Sequence, residues 1–321
     1  MSAALDAIAD LLGERSRRQA PLGARTTYRV GGHAALLVEA HGEDDLGALH
    51  RALVAVGTPV PVLVVGEGSN LLVADAGFPG VVVCLGPGFE QIEIAASSVR
   101  AGGAAKLPVV ARQSAAAGLH GLEWAVGVPG SVGGAVRMNA GGHGSDVAAV
   151  LSRVRVFDLS TGHGVESGPE RLALGYRTSS LHASDVVMWA EFALQAGERA
   201  VAEQAVADVV RWRRANQPGG SNAGSVFVNP DDDSAGRLVE AAGLKGLRMG
   251  TAQVSSKHAN FIQADKGGSA DDVWRLVEHL RAEVERRTGV ALVPEVRMVG
   301  FPGTVATVQA QPSTSTEGRG L

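Results

Sequence analysis

The chain has 321 residues, of which 45% are hydrophobic and 19% charged, a composition typical of a globular protein with two or three domains. Its formal net charge of −4 argues against a general nucleic-acid-binding protein, which would more often be basic. One cysteine, Cys84, excludes an internal disulfide, a CxxC pair and a cysteine-ligated metal site; the histidines show no zinc-ligand spacing, so no metal is expected.

The N-terminal stretch contains acidic residues and no long apolar core. It predicts an amphipathic helix over residues 4–18, within an N-terminal segment of residues 1–20, and not a signal peptide. Because no segment has the length and apolarity of a membrane span, we expect a cytoplasmic protein without membrane or nucleic-acid partners.

The stretch from residue 21 to residue 197 alternates short apolar runs with helical patterns. Helices are predicted over 43–56 and 107–118, where glycines end them, and a shorter helix near 132–140. Strands are predicted over 60–66, 71–75, 81–85, 90–96, 152–161 and 186–194. This order indicates two α+β units.

Beyond Gly197 the pattern changes to longer, charged helices. Helices are predicted over 200–215, over 234–242 (where Gly243 stops the helix) and over 269–289, with a loop over 217–225 and strands over 254–262 and 294–301. The helix over 269–289 is the clearest, because it has a serine cap, acids in its first turn and a terminal glycine. The polar tail from Thr304 is predicted to be disordered.

A first glycine turn, VLVVGEGSNLL (62–72), follows a predicted strand. A Rossmann dinucleotide turn is disfavoured, because Leu71 takes the third-glycine position and a strand pattern follows where a helix should begin. The turn remains compatible with either a phosphate-binding nest of backbone N–H groups or a plain hairpin.

A second glycine-rich stretch runs from Gly127 to Gly144. Gly133 and Gly134 lie where a short helix can begin, with N–H groups free to bind an anion. Two separate turns of this kind favour a dinucleotide whose diphosphate lies between them.

Seven blocks in order resemble the UDP-N-acetylenolpyruvoylglucosamine reductase family. They are YRVGGHA (28–34), VGEGSNLLVAD (65–75), GLEWAVGVPGSVGGAVRMNAGGHG (121–144), YRTSSL (176–181), NAGSVFVNP (222–230), AGLKGLRMGTAQVSSKHANFI (242–262) and PEVRMVG (294–300). The short interval after YRTSSL resembles the family's shorter class, which lacks a tyrosine-bearing loop.

The resemblance implies an α+β fold with an FAD-binding region of the vanillyl-alcohol-oxidase (PCMH) type over residues 21–197. That region would have two subdomains, about 21–85 and 86–197. A C-terminal α/β substrate-binding domain would follow over 198–303, its last strand (294–300) returning toward the flavin, and then a disordered tail over 304–321.

The resemblance also implies an NADPH- and FAD-dependent oxidoreductase. It would reduce the enolpyruvyl ether of UDP-N-acetylglucosamine enolpyruvate to UDP-N-acetylmuramate in peptidoglycan synthesis, as a monomer or weak dimer. Hydride would come from reduced FAD and a proton from Ser225. Arg177 and Glu295 would stabilise the developing charge, with Glu295 either protonated or hydrogen-bonded to the reacting carboxylate.

The same resemblance implies the remaining contacts. Cofactor-binding positions would be Tyr28, Gly31, Gly66, Glu67, Gly68, Ser69, Asn70, Leu71, Gly127, Pro129, Gly130, Ser131, Gly133, Gly134 and Asn139. Substrate-binding positions would be Tyr176, Arg214, Asn229, Lys257 and His258. Arg213 and Arg214 could equally serve a diphosphate or only complement the helix dipole.

One position departs from the family pattern. Val228 stands where many members carry lysine or arginine, which removes a possible phosphate contact. The alternatives are another FAD-dependent oxidase of the same superfamily, acting on a sugar or alcohol, and a nucleotide-binding protein without catalysis. The presence of Arg177, Ser225 and Glu295 argues against both.

Overall fold

A computed structural model describes residues 2–304 of the chain. Within those residues no helix has the length and apolarity needed to cross a membrane. The tail predicted to be disordered lies, apart from Thr304, outside the described residues.

The described residues form seven α-helices and eighteen strands. The helices are α1 (Ser2–Leu12), α2 (Glu43–Ala55), α3 (Leu107–Ala116), α4 (Val132–Arg137), α5 (Arg199–Asn216), α6 (Ala235–Ala241) and α7 (Ala270–Thr288). The strands are β1 (Ser16–Pro21), β2 (His33–Ala40), β3 (Val62–Val64), β4 (Leu71–Val73), β5 (Phe78–Leu85), β6 (Ile92–Ile94), β7 (Ser98–Gly102), β8 (Leu119–His120), β9 (Gly141–Gly142), β10 (Ser145–Asp146), β11 (Leu151–Asp158), β12 (His163–Ser167), β13 (Asp185–Ala193), β14 (Gln195–Ala196), β15 (Arg248–Met249), β16 (Ala252–Val254), β17 (Ile262–Ala264) and β18 (Arg297–Val299).

The first unit is a mixed four-stranded sheet in the order β1-β2-β5-β3. β1 pairs antiparallel with β2, whereas β2 and β3 both run parallel to β5. β5 is buried along most of its length, as its continuous apolar run requires. Apolar side chains of α1 and α2 cover the sheet in a core that also takes in Phe157 and Val186 of the second unit.

The second unit is an antiparallel five-stranded sheet in the order β12-β11-β13-β7-β6. Helices α3 and α4 pack on it, and Val206, Val209 and Val210 of α5 join the same core. By its packing α5 therefore lies with the second sheet, although it follows the boundary predicted at residue 198. The predicted domain limits themselves remain predictions.

The C-terminal unit combines α6 and α7 with the three-stranded sheet β15-β16-β17. Local signals define α7: the Ser269 side chain accepts a hydrogen bond from the Asp272 N–H, and Gly289 ends the helix with φ 75°. After α7 the chain returns to the first unit, where β18 pairs parallel with β4. This pairing brings residues 295–297 beside the first glycine turn, where the Asn70 side chain donates to the Glu295 carbonyl at 3.1 Å.

Two predictions of local structure are wrong. The helix predicted over 4–18 ends at Leu12, and from Ser16 the chain forms β1 because it pairs with β2. The strand predicted over 254–262 is interrupted by a turn between β16 and β17. There the Ser255 hydroxyl accepts hydrogen bonds from the Lys257 and His258 N–H groups, a local alternative to strand pairing.

Candidate active site

A cavity of about 390 Å³ lies where the three units meet, and it contains the three predicted catalytic residues. Arg177 comes from the segment between β12 and β13, Ser225 from the loop after α5, and Glu295 from the segment before β18. Other predicted site residues line the same cavity: Gly66, Glu67, Gly68, Ser69, Asn70, Leu71, Gly127, Pro129, Gly130, Ser131, Gly134, Tyr176 and Asn229. Positions more than a hundred residues apart therefore share one site.

Arg177 and Glu295 form an ion pair at the cavity wall. The Arg177 Nε donates to Glu295 Oε1 at 3.0 Å, and its Nη2 donates to the Gly141 carbonyl at 2.8 Å. Arg177 has φ 53°, a left-handed conformation unusual for a non-glycine residue and enriched at functional sites. Burial raises the pKa of the Glu295 carboxyl above its ordinary value, although the charge and hydrogen bond of Arg177 oppose the shift.

Ser225 lies at the end of a tight turn. Gly224 has φ 79°, and its N–H donates to the Asn222 side chain at 3.1 Å. Because only glycine adopts that φ without strain, Gly224 lets the chain turn directly before the serine. The Ser225 hydroxyl has no hydrogen-bond partner among residues 2–304, so it is free to contact a ligand in the cavity.

The segment after Ser225 is held by a buried asparagine. Asn260 accepts from the Phe227 N–H at 2.9 Å and donates to the Phe227 carbonyl at 2.8 Å. Ser225, Phe227 and Asn229 line the cavity, whereas Val226 and Val228 do not. The side chain at position 228 is therefore not part of the cavity wall in this chain.

The two glycine turns face each other across the cavity. The Ser69 hydroxyl donates to the Pro129 carbonyl at 2.8 Å, and a Cβ at Gly66 would lie 2.1 Å from the Ser131 hydroxyl. Within residues 2–304, the N–H groups of residues 66–70, 130 and 131 donate to no protein acceptor. The prediction of free N–H groups at Gly133 and Gly134 is wrong, because these amides donate to the Gly103 carbonyl at 2.9 Å and to the Ser131 hydroxyl at 3.3 Å. Unpaired amides lining a cavity suit the oxygens of a diphosphate.

A smaller cavity of about 150 Å³ adjoins the first and shares Gly66, Glu67, Ser131, Gly134 and Arg137 with it. It extends between the first two units, past Cys84 and Glu90, and Gly133 lines it. The two cavities thus lie side by side with the glycine turns between them, an arrangement that suits an extended dinucleotide. The residues present therefore fit bound FAD.

Three further arginines line the larger cavity without a carboxylate partner among the described residues: Arg137, Arg213 and Arg297. Burial lowers the pKa of the Arg137 guanidinium, and the positive charge of Arg297 lowers it further. Arg213 donates to the Gly127 carbonyl and, at 2.7 Å, to Gln217. The positive charge at these positions, partly offset at Arg137 by the nearby Asp185 carboxylate, favours an anionic ligand.

Arg137 and Arg297 were not predicted as site residues, although the spacing of each relative to a predicted site residue indicated it. Arg297 follows Glu295 by two residues, so the two side chains share one face of an extended segment. Arg137 lies four residues after Gly133 and therefore on the same face of α4.

Several predicted contacts lie outside both cavity walls. Tyr28 is buried in the C-terminal core, where burial raises the pKa of its phenol. Gly31 packs so closely on β4 that a Cβ would meet the Val73 carbonyl at 2.2 Å. Asn139 is 3% exposed and hydrogen-bonds to protein groups alone. These three support the walls and do not line them.

The predicted substrate contacts Arg214, Lys257 and His258 also lie outside the cavity walls. Lys257 Nζ donates to the Arg214 carbonyl at 2.5 Å, near the C-terminus of α5. His258 accepts from the Asn260 N–H at 3.2 Å and packs edge-on against Phe261; burial lowers its pKa. No group of three or more potential metal-ligating side chains occurs within residues 2–304.

The fold and site are those of an FAD-binding oxidoreductase: residues 34–168 match the FAD binding domain family, and the unpaired amides lie at its two turns. Residues 216–299 match the family described as UDP-N-acetylenolpyruvoylglucosamine reductase, C-terminal domain. The chain belongs to the UDP-N-acetylenolpyruvoylglucosamine reductase family.

Individual relatives are similar in sequence to this chain along almost its whole length. UDP-N-acetylenolpyruvoylglucosamine reductase 2 of Symbiobacterium thermophilum is 43% identical over 288 residues, 89% of this chain and 92% of the relative. The reductase of Synechococcus sp. (strain CC9311) is 42% identical, covering 90% and 94%. The crystal structure of the Thermus caldophilus reductase superposes with a TM-score of 0.77 at 35% identity, covering 88% and 99%. The predicted family, fold class and FAD-binding region are confirmed.

Proposed function

We propose that the chain reduces the enolpyruvyl ether of UDP-N-acetylglucosamine enolpyruvate to UDP-N-acetylmuramate, with FAD as resident cofactor and NADPH as electron donor. The observation that carries the proposal is the convergence of Arg177, Ser225 and Glu295 on one cavity beside two turns with unpaired amides. The family to which the chain belongs supports the same substrate.

FAD, when bound, would supply the hydride, which it receives from NADPH and transfers to the terminal carbon of the substrate's double bond. Its diphosphate would be held by the amides of residues 66–70, 130 and 131. Arg137 and Arg297 lie at or near the junction of the two cavities and would add positive charge there.

Arg177 would bind the substrate carboxylate, onto which negative charge spreads as hydride adds. A guanidinium stays cationic and donates in a planar fork, so it stabilises that charge most in the transition state. In this structure the cation is paired with Glu295 at 3.0 Å. Burial raises the pKa of Glu295 and so favours its protonated form, which would donate a hydrogen bond to the reacting carboxylate without repulsion.

Ser225 would deliver the proton to the carbon next to the carboxylate. A serine hydroxyl is a weak acid, so its contribution depends on position beside the developing negative charge. Two features support that position: the hydroxyl has no protein partner within residues 2–304, and the preceding Gly224 turn fixes its backbone.

The proposal is tested by steady-state NADPH oxidation in the presence and absence of UDP-N-acetylglucosamine enolpyruvate. We expect oxidation to require the enolpyruvyl substrate and to give one UDP-N-acetylmuramate per NADPH. NADPH oxidation that depends on oxygen alone, with the enolpyruvyl compound unchanged, would instead indicate an oxidase and overturn the proposal.

A further inference from the structure

Asn139 is a buried asparagine behind the cavity wall, and its side chain is fully paired. Its Nδ2 donates to the Gly175 carbonyl at 2.9 Å and to Asp146 Oδ2 at 3.1 Å, and its Oδ1 accepts from the Ala148 N–H at 2.9 Å. With φ 40° the residue adopts a left-handed conformation that asparagine tolerates better than most side chains. Because three hydrogen bonds hold the Asn139 amide group, its side chain is fixed in a single orientation.

One of these partners is the base of the turn that presents Arg177. Gly175 and Thr178 exchange backbone hydrogen bonds at 3.1 and 3.2 Å, with Tyr176 and Arg177 between them. The Gly175 carbonyl therefore accepts from both the Thr178 N–H and the Asn139 amide. The turn is exposed on its other side, where the Tyr176 ring is 64% exposed, so it needs an anchor on the protein side.

The segment that contains Asn139 also contacts the far end of the Arg177 side chain. The Gly141 carbonyl, two residues further on, accepts from Arg177 Nη2 at 2.8 Å. A Cβ at Gly141 would lie 3.1 Å from Arg177 Nη1, so a side chain there would crowd the guanidinium. One short segment thus fixes both the backbone and the guanidinium of Arg177.

We propose that Asn139 is a positioning residue for the proposed reaction: through the Gly175 carbonyl it holds Arg177 in the left-handed conformation that aims its guanidinium at Glu295. The inference rests on the proposed function, because it takes Arg177 as the group that binds the reacting carboxylate. It differs from the cofactor-binding role expected from the sequence. A misplacement of about 1 Å of a group that holds the substrate can slow a reaction by about 100-fold, so loss of the anchor is expected to slow the step that uses Arg177.

The test uses two substitutions that separate the partners of Asn139. In the double variant Asn139→Asp with Asp146→Asn, donor and acceptor exchange places, so the contact between positions 139 and 146 is kept. The Gly175 carbonyl, however, loses its side-chain donor and meets a carboxylate oxygen in its place. Asp146→Asn alone is the matched control, because it leaves the bond from Asn139 to Gly175 in place.

Each FAD-loaded protein is mixed anaerobically with NADPH and then with UDP-N-acetylglucosamine enolpyruvate, and both half-reactions are timed. We expect the double variant to keep its FAD content and its rate of reduction by NADPH within about twofold, since neither depends on the Arg177 turn. Its reoxidation by the enolpyruvyl substrate should slow by about 10- to 100-fold. Asp146→Asn should reoxidise within about threefold of the unaltered protein.

Two results would overturn the inference alone: reoxidation of the double variant at the unaltered rate, or a parallel loss of FAD content and of both half-reactions, which indicates a general structural role. If the unaltered protein itself is not reoxidised by the enolpyruvyl substrate, the proposed function fails and the inference fails with it. These outcomes are distinguishable because the unaltered protein is measured beside each variant.

Discussion

Replacing Arg177 with methionine tests most specifically whether its guanidinium stabilises the negative charge that develops on the substrate carboxylate. Methionine keeps an unbranched side chain of similar length but removes the guanidinium that contacts Glu295 and Gly141. Both side chains meet the same backbone strain at φ 53°, so the substitution changes charge more than conformation.

Two free-energy costs are expected. Removing one charged donor from a site of developing negative charge costs about 10²–10³ in kcat, or about 2.7–4 kcal/mol. Glu295 would also lose its cation. Breaking a fully buried ion pair costs about 3–5 kcal/mol, but these side chains are 24% and 16% exposed. We therefore expect a stability loss of about 1–3 kcal/mol.

Anaerobic stopped-flow absorbance at the flavin band separates the effects. Arg177→Met should bind FAD and be reduced by NADPH, yet reoxidise with UDP-N-acetylglucosamine enolpyruvate about 100- to 1,000-fold more slowly. Arg171→Met, which removes an exposed arginine outside both cavity walls, is the matched control and should behave as the unaltered protein. Reoxidation of Arg177→Met within tenfold of the unaltered rate would refute the role given to this cation.

Three further predictions concern Ser225, Glu295 and Asp75. Ser225→Ala should be bleached by NADPH at the unaltered rate yet reoxidise at least about 100-fold more slowly with the enolpyruvyl substrate; normal turnover would remove Ser225 as proton donor. The pKa of Glu295 is raised, so its stabilisation is complete below the ordinary value of 4.5 and is lost as the pH rises through the folded-state value. Relative to Glu295→Gln, the unaltered protein should lose unfolding free energy over that range by at most about 1.4 kcal/mol per pH unit in urea titrations, and parallel curves would contradict this. Asp75→Ala should cost about 1–2 kcal/mol in urea denaturation, because the carboxylate accepts from the Ala270 N–H at 2.9 Å and caps α7 from the first unit; an unchanged midpoint would contradict it.

Capping residues and charge patterns predicted helices whose stabilising contacts lie within the same segment. The helix predicted over 269–289 is observed as α7 over Ala270–Thr288, because its caps and charged ends lie within the segment itself. The helix predicted over 4–18 was too long, because the pairing of β1 with β2 depends on residues 33–40. Strand pairing with a distant segment does not appear as a periodic pattern within residues 16–21 themselves.

The sequence predicted residues that line the candidate site, but not the contacts that hold those residues in place. The family resemblance predicted Arg177, Ser225 and Glu295 as one catalytic site; the structure brings the three to one cavity, and their roles stay predictions. The left-handed conformation of Arg177 and the anchoring by Asn139 could not be predicted, because both depend on contacts between segments about 36 residues apart. Residues such as Tyr28, which pack behind the wall, have the same sequence signature as residues that line it.

The central claim is that electrons from NADPH reach the enolpyruvyl double bond through the FAD held in this cavity. The most direct measurement reduces the purified protein anaerobically with one equivalent of NADPH and then adds UDP-N-acetylglucosamine enolpyruvate without oxygen. We expect the yellow flavin absorbance to return as one equivalent of UDP-N-acetylmuramate forms. A flavin that stays bleached until air is admitted would contradict it.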